Sequence, residues 1–167
     1  MKRPIFLLMT VIFLWRSNHL SAQEQLTAVV PNVVPEGVFL GMPHEDFKRA
    51  VDLGKMTVDT SRVFRWTYFH VNPDEAIEGI LYYIDHQRQH QPLYQIVVAY
   101  GHQEKAYDQA VRLFGKPNYL NKKSGEVEEW RFSIPGMPAI WVWCYQGNLV
   151  VIGKIPGTEW AEEWDLY

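Results

Sequence analysis

A chain of 167 residues with a net charge of −3 and no basic run is one modest domain with little to attract a polyphosphate backbone, which argues against nucleic acid as a partner. Its hydrophobic share of 47% is ample for a core, and with Cys144 as its single cysteine it has no internal disulfide, so the core must hold the fold unaided. Gly-x-Ser-x-Gly, P-loop, dinucleotide-binding and Cys-x-x-Cys patterns are all missing, so the sequence reads as non-catalytic and requires no cofactor.

The chain starts with basic Lys2 and Arg3, continues with an apolar run from Ile5 to Trp15, and reaches small residues at Ser21-Ala22. That layout predicts a secretory signal peptide over residues 1–22, cleaved after Ala22. An apolar run of about 11 residues is too short to span a bilayer, so no membrane span is expected after cleavage. Cleavage removes three of the 16 basic residues (Lys2, Arg3 and Arg16) and none of the 19 acidic ones, leaving a net charge of −6. The expected location is periplasmic or secreted. Residues 23–35 read as a flexible N-terminal segment, 36–156 as the folded domain and 157–167 as a C-terminal tail.

Within the domain, GMPHEDFKRAVDLGK (41–55) matches GHQEKAYDQAVRLFGK (101–116) at an offset of 60. Phe47, Ala50 and Val51 in the first copy, and Tyr107, Ala110, Val111 and Phe114 in the second, have helical spacing. Pro43 suits a first helical turn, and Gly54 and Gly115 sit where helix ends favour positive φ. Three β-rich runs follow each helix: 63–71, 78–85 and 92–100 in the first copy, 127–134, 138–145 and 148–155 in the second. Trp66 and Trp130 take matching places in the first run of each set. The prediction is a duplicated α-β-β-β unit, with repeats at about 41–100 and 101–156, in an α+β two-layer fold whose helices pack on one face of antiparallel sheet.

The motifs Gly41-Met42-Pro43, Leu53-Gly54-Lys55 and Leu113-Phe114-Gly115-Lys116-Pro117, each helix followed by three strands, resemble the group containing secreted β-lactamase inhibitory proteins and small outer-membrane assembly lipoproteins. The tandem copy is more similar to the inhibitory proteins, which carry two such units. The disulfides of those proteins are impossible here and the acylated cysteine of the lipoproteins is missing, so neither partner carries over.

The stretch IWVWCYQGNLVVIG (140–153) reads as a hairpin turning at Gly147-Asn148. Ile140, Val142 and Cys144 point one way and Trp141, Trp143 and Tyr145 the other, so both faces are apolar. The helices cover one face. Either the tryptophans are core residues and the Ile/Val/Cys face is left partly exposed, or the aromatic face is met by a partner, a second copy, or the tail, whose Trp160 and Trp164 are four apart. Tyr83 and Tyr94 are candidates for the same surface. Cys144 is expected to be a buried, inert thiol.

Asp85, His86 and His90 are weak metal candidates, since the loop between two strands does not assure the helical geometry that the His-x-x-x-His spacing needs; a solvated hairpin loop is the preferred reading. His44 and His102, near the helix starts, are expected to face water, and His70 to end a strand. The carboxylate clusters 74–78, 126–129 and 159–165 read as solvated edges, and no pair is picked out for glycoside hydrolysis. The expected function is an exported non-catalytic binding protein whose aromatic sheet face contacts an envelope or secreted protein. The alternatives are a small exported hydrolase or metal-binding protein using the His86/His90 loop, and a structural envelope protein that self-associates into a homo-oligomer.

Overall fold

The computed structural model describes residues 33–71, 76–122, 125–133 and 138–161; the expected signal peptide and Trp164 lie outside them. In chain order the elements are α1 (His44–Ala50), a 3-10 turn (Leu53–Lys55), β1 (Met56–Asp59), β2 (Arg65–His70), β3 (Gly79–Asp85) and β4 (Leu93–Ala99), then α2 (Gln103–Phe114), β5 (Tyr119–Asn121), β6 (Val127–Phe132), β7 (Ile140–Tyr145) and β8 (Asn148–Gly153). All eight strands form one antiparallel sheet in the order β1-β2-β3-β4-β8-β7-β6-β5. That order is the same unit met from either edge, with the last strands of the two repeats paired at the centre. The duplicated α-β-β-β unit is therefore present, and each copy carries one further short strand, β1 or β5, at the sheet edge. Neither edge strand has a readable apolar alternation: Thr57, Val58 and Asp59 are all exposed, and β5 has only three residues.

Local chemistry explains most of the boundaries. Gly41 and Gly101, matched in the repeat, both take a left-handed conformation (φ 89° and 74°), as does Gly115 at the end of α2 (φ 76°). Gly54 does not. The first helix stops at Ala50 because Val51 is already extended, and Gly54 lies in the 3-10 turn, donating its N–H to the Asp52 side chain at 3.1 Å. Val51 is thus outside the helix that its spacing had predicted.

The main core lies between the helices and the sheet. Phe47 of α1 is fully buried against Tyr68 and Tyr82 (ring centroids 5.2 and 5.1 Å). Ala106 and Ala110 of α2, both fully buried, are small enough to let that helix lie close over β7 and β8. Trp130 is fully buried and donates its indole N–H to the Gly115 carbonyl (2.8 Å), tying the end of α2 to β6. Val34, Val38, Leu40 and Met42 extend this core ahead of α1.

The β7–β8 hairpin turns at Gln146-Gly147, one residue earlier than the sequence suggests. Asn148 already pairs with Tyr145, and both central residues have positive φ (48° and 79°), as a two-residue turn matching strand twist requires. Gly147 also touches the start of α2. Its carbonyl accepts from the Tyr100 N–H (2.8 Å) and its N–H donates to the Gln103 side chain (3.0 Å). A Cβ there would lie 2.7 Å from the Gly101 carbonyl carbon. Gly147→Ala is expected to cost about 2 kcal/mol through strain and this clash. The denaturant midpoint should fall with unchanged slope; an unmoved midpoint would mean the junction tolerates a Cβ.

Candidate binding face

Strand alternation sends Trp141, Trp143 and Tyr145 to the face opposite the helices, and it is Ile140, Val142 and Cys144 that join the helix-side core. Register then builds two rows across the sheet centre. Trp141 is opposite Ile152, Ile152 opposite Gln95 and Gln95 opposite Tyr83; Trp143 is opposite Val150, Val150 opposite Val97 and Val97 opposite Leu81. Val97, Trp141, Val150 and Ile152 form a second, smaller apolar cluster, with Leu81, Tyr83, Trp143 and Trp160 against it.

Tyr94 reaches this face through an irregularity. The β3–β4 register shifts between Tyr83 and Ile84, so Leu93 opposes Ile84 in the helix-side core while Gln95 opposes Tyr83. The extra residue is Tyr94, whose ring lies 6.4 Å from that of Tyr83. Tyr94 and Gln95, neighbours in sequence, therefore both meet the same C-terminal segment.

That segment, residues 154–161, crosses the face as a strap. Glu159 accepts a hydrogen bond from the Tyr94 hydroxyl (2.8 Å) and lies 3.5 Å from the Arg65 guanidinium. Trp160 donates its indole N–H to the Gln95 side chain (3.0 Å) and sets its ring edge-on to Trp143 at 5.9 Å. The chain thus covers part of its own second face. Burial raises the Tyr94 pKa, and the carboxylate of Glu159 raises it further, so the phenol remains a donor. The five aromatic candidates separate by depth. Tyr94 and Trp141 are buried, Tyr83 and Trp143 half-buried, and Tyr145 is 59% exposed at the margin.

Beneath Trp141 lies a polar network that the sequence reading assigned to a solvated edge. Glu129 is buried. It accepts from the Trp141 indole (2.5 Å), from Arg131 Nε and Nη2 (3.1 and 3.0 Å) and from Asn121 (2.9 Å). The Arg131 guanidinium stacks over Tyr119 and Trp141, 3.5 and 4.6 Å from their ring centroids. In the run Glu126-Glu128-Glu129, strand alternation points Glu128 and Glu129 to opposite faces of β6, and Glu129 is buried while Glu128 stays exposed.

No protein-family model, curated protein or solved structure matches this chain. What the face can do must be read from its own geometry.

The histidines divide differently from expectation. His102 is exposed and His70 ends β2, but His44 is buried instead of facing water. Its Nε2 lies 2.6 Å from the Tyr68 hydroxyl and its Nδ1 3.1 Å from the Gln91 side-chain oxygen, so Nδ1–H donates and Nε2 accepts. This pins the first turn of α1 to β2 and to the β3–β4 turn. Position 44 faces the sheet because the turn before α1 is bridged to that same loop, Pro43 to Pro92. His86 is half-buried against Trp66 and His90 is exposed in the turn; Asp85, buried, accepts from the Gln87 N–H (3.0 Å) and lies 3.8 Å from Arg88. Among the described residues, no group of three or more His, Cys, Asp or Glu is placed to hold a metal ion, and no helix is long and apolar enough to cross a membrane. The Cys144 thiol is buried and its pKa is pushed up to about 12, which keeps it protonated at neutral pH.

Two stability tests follow from these networks. Arg131→Met strands the buried Glu129 carboxylate and should cost about 3 kcal/mol, whereas Glu129→Gln with Arg131→Met should recover much of that loss. Equal destabilisation of the single and double variants would show that a stranded Glu129 charge is not the source of the loss. For His44, burial lowers the folded-state pKa below the unfolded 6.5. Between those two values the unfolded chain binds more protons, so stability present above pH 6.5 falls as the pH drops toward the folded value. The melting temperature of the wild-type protein should therefore decline from pH 7 to pH 5 more steeply than that of His44→Gln; parallel declines would remove His44 as the cause.

Proposed function

We propose that this protein is exported and acts by non-catalytic binding, using the sheet face opposite its helices to contact a protein of the cell envelope or its surroundings. The observation that carries this reading is the helix-free aromatic cluster, half-buried at Tyr83 and Trp143 and open at Tyr145. Aromatic side chains of this kind give large contact area at low cost in side-chain freedom. Trp141 and Tyr94 lie deeper, fixed by Glu129 and Glu159, and hold the outer rings in place. Two packed helices on the far side give the face a rigid backing. Export is supported by the layout of residues 1–22, and the similarity of the tandem motifs to secreted inhibitory proteins points the same way.

Truncating Trp143 and Tyr145 together to Ala should weaken partner capture at least about tenfold, since a half-buried tryptophan and a tyrosine at the margin of the face both give up aromatic contact area. Capture is measured by cross-linked pull-down from envelope extract, with cooperative unfolding of the same variant as the folding control. A folded variant that captures the wild-type set of proteins would refute this assignment of the face.

A further inference from the structure

The strap shows what chemistry the face accepts. Its seat has four parts: the Arg65 guanidinium and Tyr94 hydroxyl take the Glu159 carboxylate, the Gln95 amide oxygen takes the Trp160 N–H, and Trp143 takes the indole edge. The seat is held by the sheet rather than by the strap. Arg65 stacks over Tyr83, 4.4 Å from its ring centroid, and the β4 irregularity aims Tyr94 and Gln95 together. Arg65 Nε is also buried with no hydrogen-bond partner among the described residues.

The strap makes few backbone bonds to the sheet, although Thr158 and Ala161 are buried. Lys154 donates its N–H to the Ala139 carbonyl, but beyond it the backbone bonds of the strap are local, Thr158 N–H to Ile155 and Ala161 N–H to Thr158. Past residue 155, only side chains tie the described strap to the sheet. Beside the carboxylate seat lies a cleft of about 410 Å³, walled on one side by Phe64, Asp85, Arg88 and Tyr94 and on the other by Gly157 and Thr158 of the strap itself. The dipeptide Glu159-Trp160 recurs four residues on as Glu163-Trp164.

We infer that residues 157–161 are a built-in competitor for the binding face, and that the partner inserts a peptide segment with a carboxylate residue directly before a tryptophan, displacing the strap. This rests on the binding role proposed above and adds the chemistry of the ligand and its self-inhibition. The carboxylate answers Arg65 and Tyr94, and the indole answers Gln95 and Trp143. An aliphatic or basic segment would leave Gln95 and Tyr94, both buried, without their partners.

The test uses the purified protein and a fluorescein-labelled peptide, PGTEWAEEWDLY, copied from residues 156–167. In Glu159→Gln/Trp160→Ala/Glu163→Gln/Trp164→Ala the seat is vacated and the second Glu-Trp dipeptide cannot refill it. That variant should bind the peptide saturably by fluorescence anisotropy, at least about tenfold more tightly than wild type, whose own strap competes. A control peptide with each Glu-Trp changed to Gln-Ala should not bind. Should that variant fail to melt cooperatively, Glu159→Gln/Glu163→Gln gives the same readout with both tryptophans retained. A folded variant with no saturable binding, or equal binding of both peptides, overturns the inference. A variant that sediments as a dimer, dissociated by the peptide, overturns the separate partner in favour of a second copy of this chain. Loss of capture by the Trp143/Tyr145 pair together with no peptide binding here would remove the strap's role while leaving the binding role intact.

Discussion

The pairing of β4 with β8 is the constraint on which the rest of this structure depends. Each is the last strand of its repeat, and their antiparallel register, Ile96 with Val151 and Val97 with Val150, joins the two copies into one sheet. It also places the most apolar strands at the centre, where they are covered on both sides. Ile96, Val98, Leu149 and Val151 face the helices; Val97, Val150 and Ile152 face the other way. Central strands buried on both faces leave the second face needing a cover of its own, and the strap is the part of that cover supplied by the chain. The short strands β1 and β5 fall at the edges, where limited length and exposed residues restrict further pairing.

Duplication fixed the frame, and divergence filled it differently. Trp66 and Trp130 keep matching places, but the residue before each has opposite charge, Arg65 in one copy and Glu129 in the other. Both point to the helix-free face, and each is matched by a different device. Arg65 is paired with Glu159 from the strap, whereas Glu129 is paired within its own strand by Arg131. One half of the face is therefore closed by internal ion pairing and the other by a segment that, past residue 155, side chains hold down. Only the second kind of closure can be exchanged for an external ligand without leaving a buried charge inside the fold.

The first helical turn of the two copies shows how neighbours decide a polar residue's role. His44 sits in the first turn of a seven-residue helix, yet the bridge from Pro43 to Pro92 turns that position inward against Tyr68 and Gln91. In the second copy the matched position is Glu104, exposed at the start of a longer helix. The same place in the repeat is thus a buried neutral imidazole in one unit and a solvated carboxylate in the other.

Much of the fold was legible in the residues alone. The matched helix motifs, the six longer strands and the two-sided apolar character of β7 all follow from periodicity, because helix and strand spacing are local properties that a few neighbouring residues determine. The sequence also narrowed the cover of the second face to the tail or another molecule. It could not place Tyr94, because a one-residue register irregularity changes which face a side chain meets and leaves no mark in the alternation. Nor could it separate Glu129 from its acidic neighbours or set His44 inward, because each depends on partners from other elements: Trp141, Asn121 and Arg131 for the one, Tyr68 and Gln91 for the other. Local pattern determined the two helices, the six longer strands and the two-sided apolar character of β7, but not the edge strands β1 and β5. Tertiary structure decided which polar groups could be buried, since a polar side chain enters the interior only where residues distant in sequence complete its hydrogen bonds.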